Sequence, residues 1–249
     1  MRNILAIFQR EFVAYFLSPV AYVVTFVFLA VNNFGFFYIV GVLNNPEVGS
    51  VPPMQILLSS NIFLWIYLPV VAPVLTMKLL AEERRLGTIE VLMTAPVTEA
   101  QVVLGKYLAS LAFYIVLWIP TLAYVAVLAT YGSPDYGEFF AGYLGLITIG
   151  AVFLSIGLLA SSLTRNQITA VILGLLPIFA IWWLPTILSS VGSLDPAVAK
   201  VVRFFDAIGH LQLDFSKGII DTRRLVLYLS EIVLMLFITV RVVEISKGR

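Results

Sequence analysis

Four ionisable residues stand in a row at Glu82, Glu83, Arg84 and Arg85, between two long apolar runs. A glutamate pair is the working group of one class of intramembrane protease, but that pattern wants an arginine four residues after the second glutamate and histidines on neighbouring spans. Gly87 occupies the first place, and the single histidine, His210, falls in a segment far along the chain. A serine site fails on the same missing histidine. With no cysteine there is no thiolate nucleophile and no cysteine metal site, and a lone histidine makes a poor metal ligand set. No G-x-x-x-x-G-K-[ST] occurs, so the chain has no cradle for nucleotide phosphates. Nothing assembles a nucleophile with a base, and the reading is of a non-enzyme without cofactors of its own. One carboxylate, Glu231, lies inside an apolar run, ~10 Å from its outer end at 1.5 Å per residue. It is a candidate intramembrane polar site: a proton-linked group, a gate contact, or a hydrogen-bond partner for a facing Asn, Ser or Tyr.

The elements that must position these residues are membrane spans. Hydrophobic side chains make up 61% of the 249 residues and charged ones only 12%, against roughly 25% charged in soluble domains. The mean hydropathy is +1.01. A net charge of +1 argues against a nucleic-acid partner. Residues 1–17 read as an amphipathic interfacial helix, apolar at Leu5, Phe8, Phe12 and Tyr15/Phe16. Spans are expected over about 20–42, 56–80, 102–131, 139–163, 168–188 and 222–243, near the ~20 residues a bilayer needs. Pro69 and Pro73 predict a kink in the second. In the fourth, Ala141, Gly145, Gly157 and Ser161 allow close helix contact, within one subunit or across a dimer. Asn32, Asn33 and Asn61 would line an outer cavity or bond between helices.

The charged stretch between the second and third spans (81–101) must lie in water, since each such residue at mid-bilayer costs ~2.5–3.5 kcal/mol. From Glu82 it reads as a separate short helix. Leu86, Ile89, Leu92 and Met93 lie on one side; Glu83, Arg84, Gly87, Thr88 and Glu90 lie on the other. Pro96 stops it, and Thr98 with Gln101 forms a capping box that opens the next helix. A second non-spanning segment, 189–223, is expected to carry a helix from the Asp195-Pro196 cap to about Ala207, broken at Gly209-His210, with Asp221 capping the last span.

Ten of the fifteen Lys and Arg fall on one side if the N-terminus is cytoplasmic. The other five (Lys200, Arg203, Lys217, Arg223, Arg224) lie in 189–223, where Asp195, Asp206, Asp214 and Asp221 offset them. The positive-inside rule then gives six spans, both termini cytoplasmic, in one all-α polytopic domain over 1–249.

The stretch K-L-L-A-E-E-R-R-L-G-T-I-E-V-L-M-T-A-P-V-T, the span opening G-K-Y-L-A, and D-F-S-K-G-I-I-D-T-R-R-L-V-L-Y-L-S resemble the membrane subunit of type-2 ABC transporters. Among these, the chain looks most like permeases of bacterial gliding-motility and nitrous-oxide-reductase-maturation systems. The resemblance implies an ATP-driven transporter of the bacterial cytoplasmic membrane, leaning to export. It also implies a second permease, identical or not, and a dimer of separate ATPase subunits that bind ATP and Mg. Residues 81–101 would be the coupling loop: Glu82, Glu83, Arg84, Arg85, Gly87, Thr88 and Glu90 toward the ATPase, and Leu86, Ile89, Leu92 and Met93 against the membrane domain. Lipids are the surrounding partner, and an extracytoplasmic accessory protein is an alternative partner for a force-transmitting scaffold that moves no substrate.

Overall fold

The computed structural model describes residues 2–44, 52–59, 62–87, 97–131, 135–190 and 195–247. These residues are α-helical with no strand among them. In chain order the helices are α1 (Arg2–Phe16), α2 (Pro19–Leu43), α3 (Pro53–Ser59) and α4 (Ile62–Leu86). Then come α5 (Glu99–Trp118), a 3-10 turn (Ile119–Thr121), α6 (Leu122–Tyr131), α7 (Tyr136–Leu163) and α8 (Gln167–Ser190). Short α9 (Pro196–Phe204) and α10 (Ala207–Leu213), a 3-10 turn (Phe215–Lys217) and long α11 (Thr222–Lys247) complete the chain. Six segments are long and apolar enough to cross a membrane: Pro19–Leu43, Leu64–Leu86, Glu99–Thr130, Tyr136–Leu163, Gln167–Ser190 and Thr222–Ile245.

The centre of the bundle is α7, the most buried of these, packed against α4, α8 and α11. Its small residues explain why. A Cβ on Gly157 would stand 3.2 Å from Pro73 Cα, and one on Gly145 would strike the Phe215 ring. Ser161 Oγ accepts from the Leu80 and Ala81 N–H groups, both at 3.1 Å, and donates to the Met77 carbonyl at 3.0 Å. The small-residue stripe therefore serves packing within one chain. Helix α4 runs unbroken through Pro69 and Pro73. Pro69 lacks the N–H that would bond the Trp65 carbonyl, and the buried Trp182 indole Nε1–H donates to it instead, at 3.0 Å. Asn32 and Asn33 bond between helices, accepting from Tyr67 Oη (3.0 Å) and Tyr124 Oη (2.8 Å); Asn61 lies outside the described residues.

Three boundaries differ from the hydropathy reading. The expected second span from Ile56 is two helices, since α3 is a separate short piece whose Met54, Ile56 and Leu58 are buried. The expected helix beginning at Glu82 is, through Leu86, the last turns of α4. After the fifth span the break comes at Phe205-Asp206, earlier than Gly209-His210, because Asp206 Oδ1 accepts from Gly209 N–H at 3.0 Å and caps α10. Helices α3 and α10 and the Phe215 turn pack together over one end of the bundle.

Candidate functional site

The other end holds the base of the central charged stretch. Helix α4 ends where Gly87 takes φ +69°, a left-handed conformation that suits glycine and terminates helices. Across the loop, Thr98 caps α5: its Oγ1 accepts from Gln101 N–H and the Gln101 side chain accepts from Thr98 N–H, both at 3.3 Å. Two turns into α5 stands Lys106, 1% exposed. A buried ammonium must be paired. Its Nζ donates to Glu83 Oε1 at 2.8 Å and to Glu11 Oε1 at 3.0 Å. Arg10 Nη2 closes the box, 2.5 Å from Glu11 and 3.5 Å from Glu83. Two cations and two carboxylates thus join helix α1, the end of α4 and the start of α5.

The local sequence allows this because α1 is not packed by apolar residues alone. The side turned to the bundle carries Ile7, Glu11 and Tyr15, whereas Leu5, Val13 and Phe16 are exposed. Tyr15 Oη donates to the Leu75 carbonyl at 2.8 Å, and its ring stacks on Phe113, centroids 4.7 Å apart. Asn3 Nδ2 donates to Gln101 Oε1 at 3.3 Å. Burial alone would raise the Glu11 carboxyl; the Lys106 ammonium and the Arg10 hydrogen bond outweigh it and hold it below the ordinary glutamate range.

Of the residues expected to face a partner, Glu83 is turned inward to Lys106 and Arg84 Nη2 reaches the Val242 carbonyl of α11 at 3.5 Å. Glu82 and Arg85 form an outward i,i+3 pair at 3.7 Å. Leu86, expected to pack on the membrane domain, is 61% exposed. The reversal follows from helix register: continuing α4 without a break turns Glu83 and Arg84 toward α5 and α11 and swings Leu86 out. Thr88, Ile89, Glu90, Leu92, Met93 and Pro96 lie outside the described residues. Glu231, in α11, is partly buried, with no hydrogen bond or ion pair among the described residues. His210 is buried in α10, its Nδ1 2.7 Å from Tyr228 Oη and its Nε2 3.2 Å from the Arg203 carbonyl.

The sequence reading missed Arg10, Glu11 and Lys106 as a set. Two signals pointed to them: a lysine within an apolar helix, and an Arg-Glu pair interrupting an amphipathic one.

The charge box contains no nucleophile with a base, and no group of three or more metal-ligating side chains is gathered among the described residues. What it can do is hold three helices in fixed register at a loop. The family model for ABC-2 family transporter proteins matches residues 5–200. The chain belongs to the ABC-2 transporter family. This ABC-2 protein is a multi-pass permease subunit of an ABC transporter, a membrane component that partners an ABC ATPase. No curated protein matches the chain.

Proposed function

We propose that this permease is the passive membrane half of an exporter, driven at the loop after α4 by a separate ATPase that binds ATP and Mg. The observation that carries this reading is a braced but open tip. Glu83, Arg84 and Lys106 fasten the end of α4 to α1, α5 and α11, while Arg85 and Leu86 remain exposed beyond it. A pushed tip moves spans only if it is rigidly tied to them, and the buried ion pairs supply that tie. Glu82 and Arg85, with Gly87, Thr88 and Glu90 beyond, would meet the ATPase by paired polar contacts. Two permeases, identical or not, would complete the transporter in a bacterial cytoplasmic membrane, both termini inside. The loop sequence favours the gliding-motility and nitrous-oxide-reductase-maturation permeases as its functional kin.

A pull-down tests this directly. Glu82→Ala/Arg85→Ala should release the partner ABC ATPase and abolish permease-stimulated hydrolysis, with the detergent melting temperature unchanged. Retained binding and stimulation would sink the reading.

A second reading keeps the ATPase but replaces transport by force transmission to an extracytoplasmic partner. It is favoured by the short-helix layer at the opposite end, where Asp206 Oδ1 accepts from Thr186 Oγ1 at 2.8 Å and Phe215 is fully buried, so motion of α7 and α8 would reach that face undamped. Transport requires hydrolysis stimulated by a substrate; transmission requires stimulation by the partner alone.

A further inference from the structure

At the end of the bundle away from the charge box, α9 and the start of α11 border an open cavity of about 400 Å³. Lys200, Arg203, Arg223 and Arg224 line it, with Asp221 as the one carboxylate. By sequence, four aspartates offset these cations. The structure assigns three of the four to other work. Asp195 Oδ1 accepts from Ala197 N–H at 2.8 Å, Asp206 Oδ1 from Gly209 N–H at 3.0 Å, and Asp221 Oδ1 from Arg223 N–H at 2.8 Å. All three cap helices. Asp214 alone pairs with a cation, and loosely: Arg224 Nε lies 3.6 Å from its Oδ2, beyond hydrogen-bond length. Among the described residues Lys200, Arg203 and Arg223 have no carboxylate partner within ion-pair distance. Arg203 is also held from behind, because buried His210 contacts its carbonyl at 3.2 Å.

The cavity does not stop at the cations. A second hollow of about 550 Å³ adjoins it, sharing Phe204 and Arg223, and descends one face of α11 along Val226, Leu227 and Ser230. That face belongs to a membrane-spanning segment, and Val226 is 65% exposed on it. A basic pocket at a helix end, continuous with an apolar groove running into the bilayer, complements one kind of molecule. We infer that this is a binding site for an anionic amphiphile, a phospholipid in chemical class. Its phosphate would sit among Arg203, Arg223 and Lys200, and an acyl chain would lie along Val226 and Leu227. Guanidinium forks suit phosphate oxygens geometrically. The positive-inside rule also leaves such cations unexplained at the outer end unless they have an anionic partner.

Native mass spectrometry of the delipidated full chain in detergent tests the site with four probes: phosphatidylglycerol, phosphatidylcholine of the same chains, inorganic phosphate and soluble polyglutamate. Phosphatidylglycerol should bind best. Arg203→Gln/Arg223→Gln should weaken it about 30-fold, since each basic residue near an anionic headgroup contributes a factor of about five. Arg203→Lys/Arg223→Lys should recover most of that loss, which a misfolded variant would not. Val226→Trp, which fills the groove and leaves the cations, should weaken the lipid as well. Undiminished phosphatidylglycerol binding in the Gln double variant overturns the proposal. So does displacement by equimolar inorganic phosphate with no effect of Val226→Trp, which would mark a free-anion site. Equal competition by soluble polyglutamate would assign the pocket to an acidic protein partner and overturn it too. No nucleotide or ATPase enters the measurement, so its failure and that of the coupling reading are distinguishable.

Discussion

Lys106 shows how a single buried charge is tolerated and what it then controls. Its ammonium is 1% exposed and held by Glu11 and Glu83, so removing it leaves two largely buried carboxylates with Arg10 as the one cation left in the box. Deleting one member of a buried pair costs about 3–5 kcal/mol, and Lys106→Met should lower the melting temperature in detergent accordingly. The pH dependence carries a sign that simple loss of packing would not. The Glu11 carboxyl is held below its ordinary value, so its contribution is fully present above that value, about 4.3. It is lost as the pH falls through the lowered folded value. Lys106→Met gives up the larger, Lys106 share of it and keeps only the Arg10 share, so it should show a shallower loss of stability in that acid window. Equal acid slopes for wild type and variant would contradict the assignment. From sequence, Lys106 reads only as one more cytoplasmic charge. A buried lysine and a loop lysine share the same letter, and the pairing with Glu11 spans 95 positions, beyond any local pattern.

Among the elements, apolar length marked the spans well because a bilayer imposes it. Helices α2, α7 and α8 fall within three residues of the expected limits, and the Thr98–Gln101 capping box is present as read. Where the reading failed, charge was taken as the end of a helix. Glu83 and Arg84 stay helical because Lys106 and the Val242 carbonyl receive them, and α4 ends only where Gly87 turns left-handed. The contact between α4 and α7 is the tightest test of the packing. A Cβ on Gly157 would stand 2.3 Å from Thr76 Oγ1 and 3.2 Å from Pro73 Cα, so a rotamer change alone cannot make room. Gly157→Ala should therefore destabilise by roughly 1–3 kcal/mol. Gly41 in α2 has nothing within 4 Å of its added Cβ, and Gly41→Ala should be neutral or stabilising by up to ~1 kcal/mol. Thermal melts of the two variants side by side check both; equal destabilisation would mean α7 does not lie against α4 as described.

For the whole molecule, the two ends of the bundle are chemically unlike. One end carries the charge box, the exposed Arg85 and the C-terminal turns of α4 and α11, tied by Arg84 to Val242. The other carries the short helices, with aspartates spent on caps and arginines facing a cavity. If a cytoplasmic ATPase works the loop after α4, as proposed above, the first end lies inside. The chain contains no cysteine, which makes a single introduced thiol an unambiguous reporter. In intact cells a membrane-impermeant maleimide should label Lys200→Cys and leave Arg85→Cys untouched until the membrane is broken. Both positions are exposed and neither joins the buried ion pairs, so each variant should keep its fold. The reverse labelling pattern would invert the topology and, with it, remove the ATPase from reach of the loop.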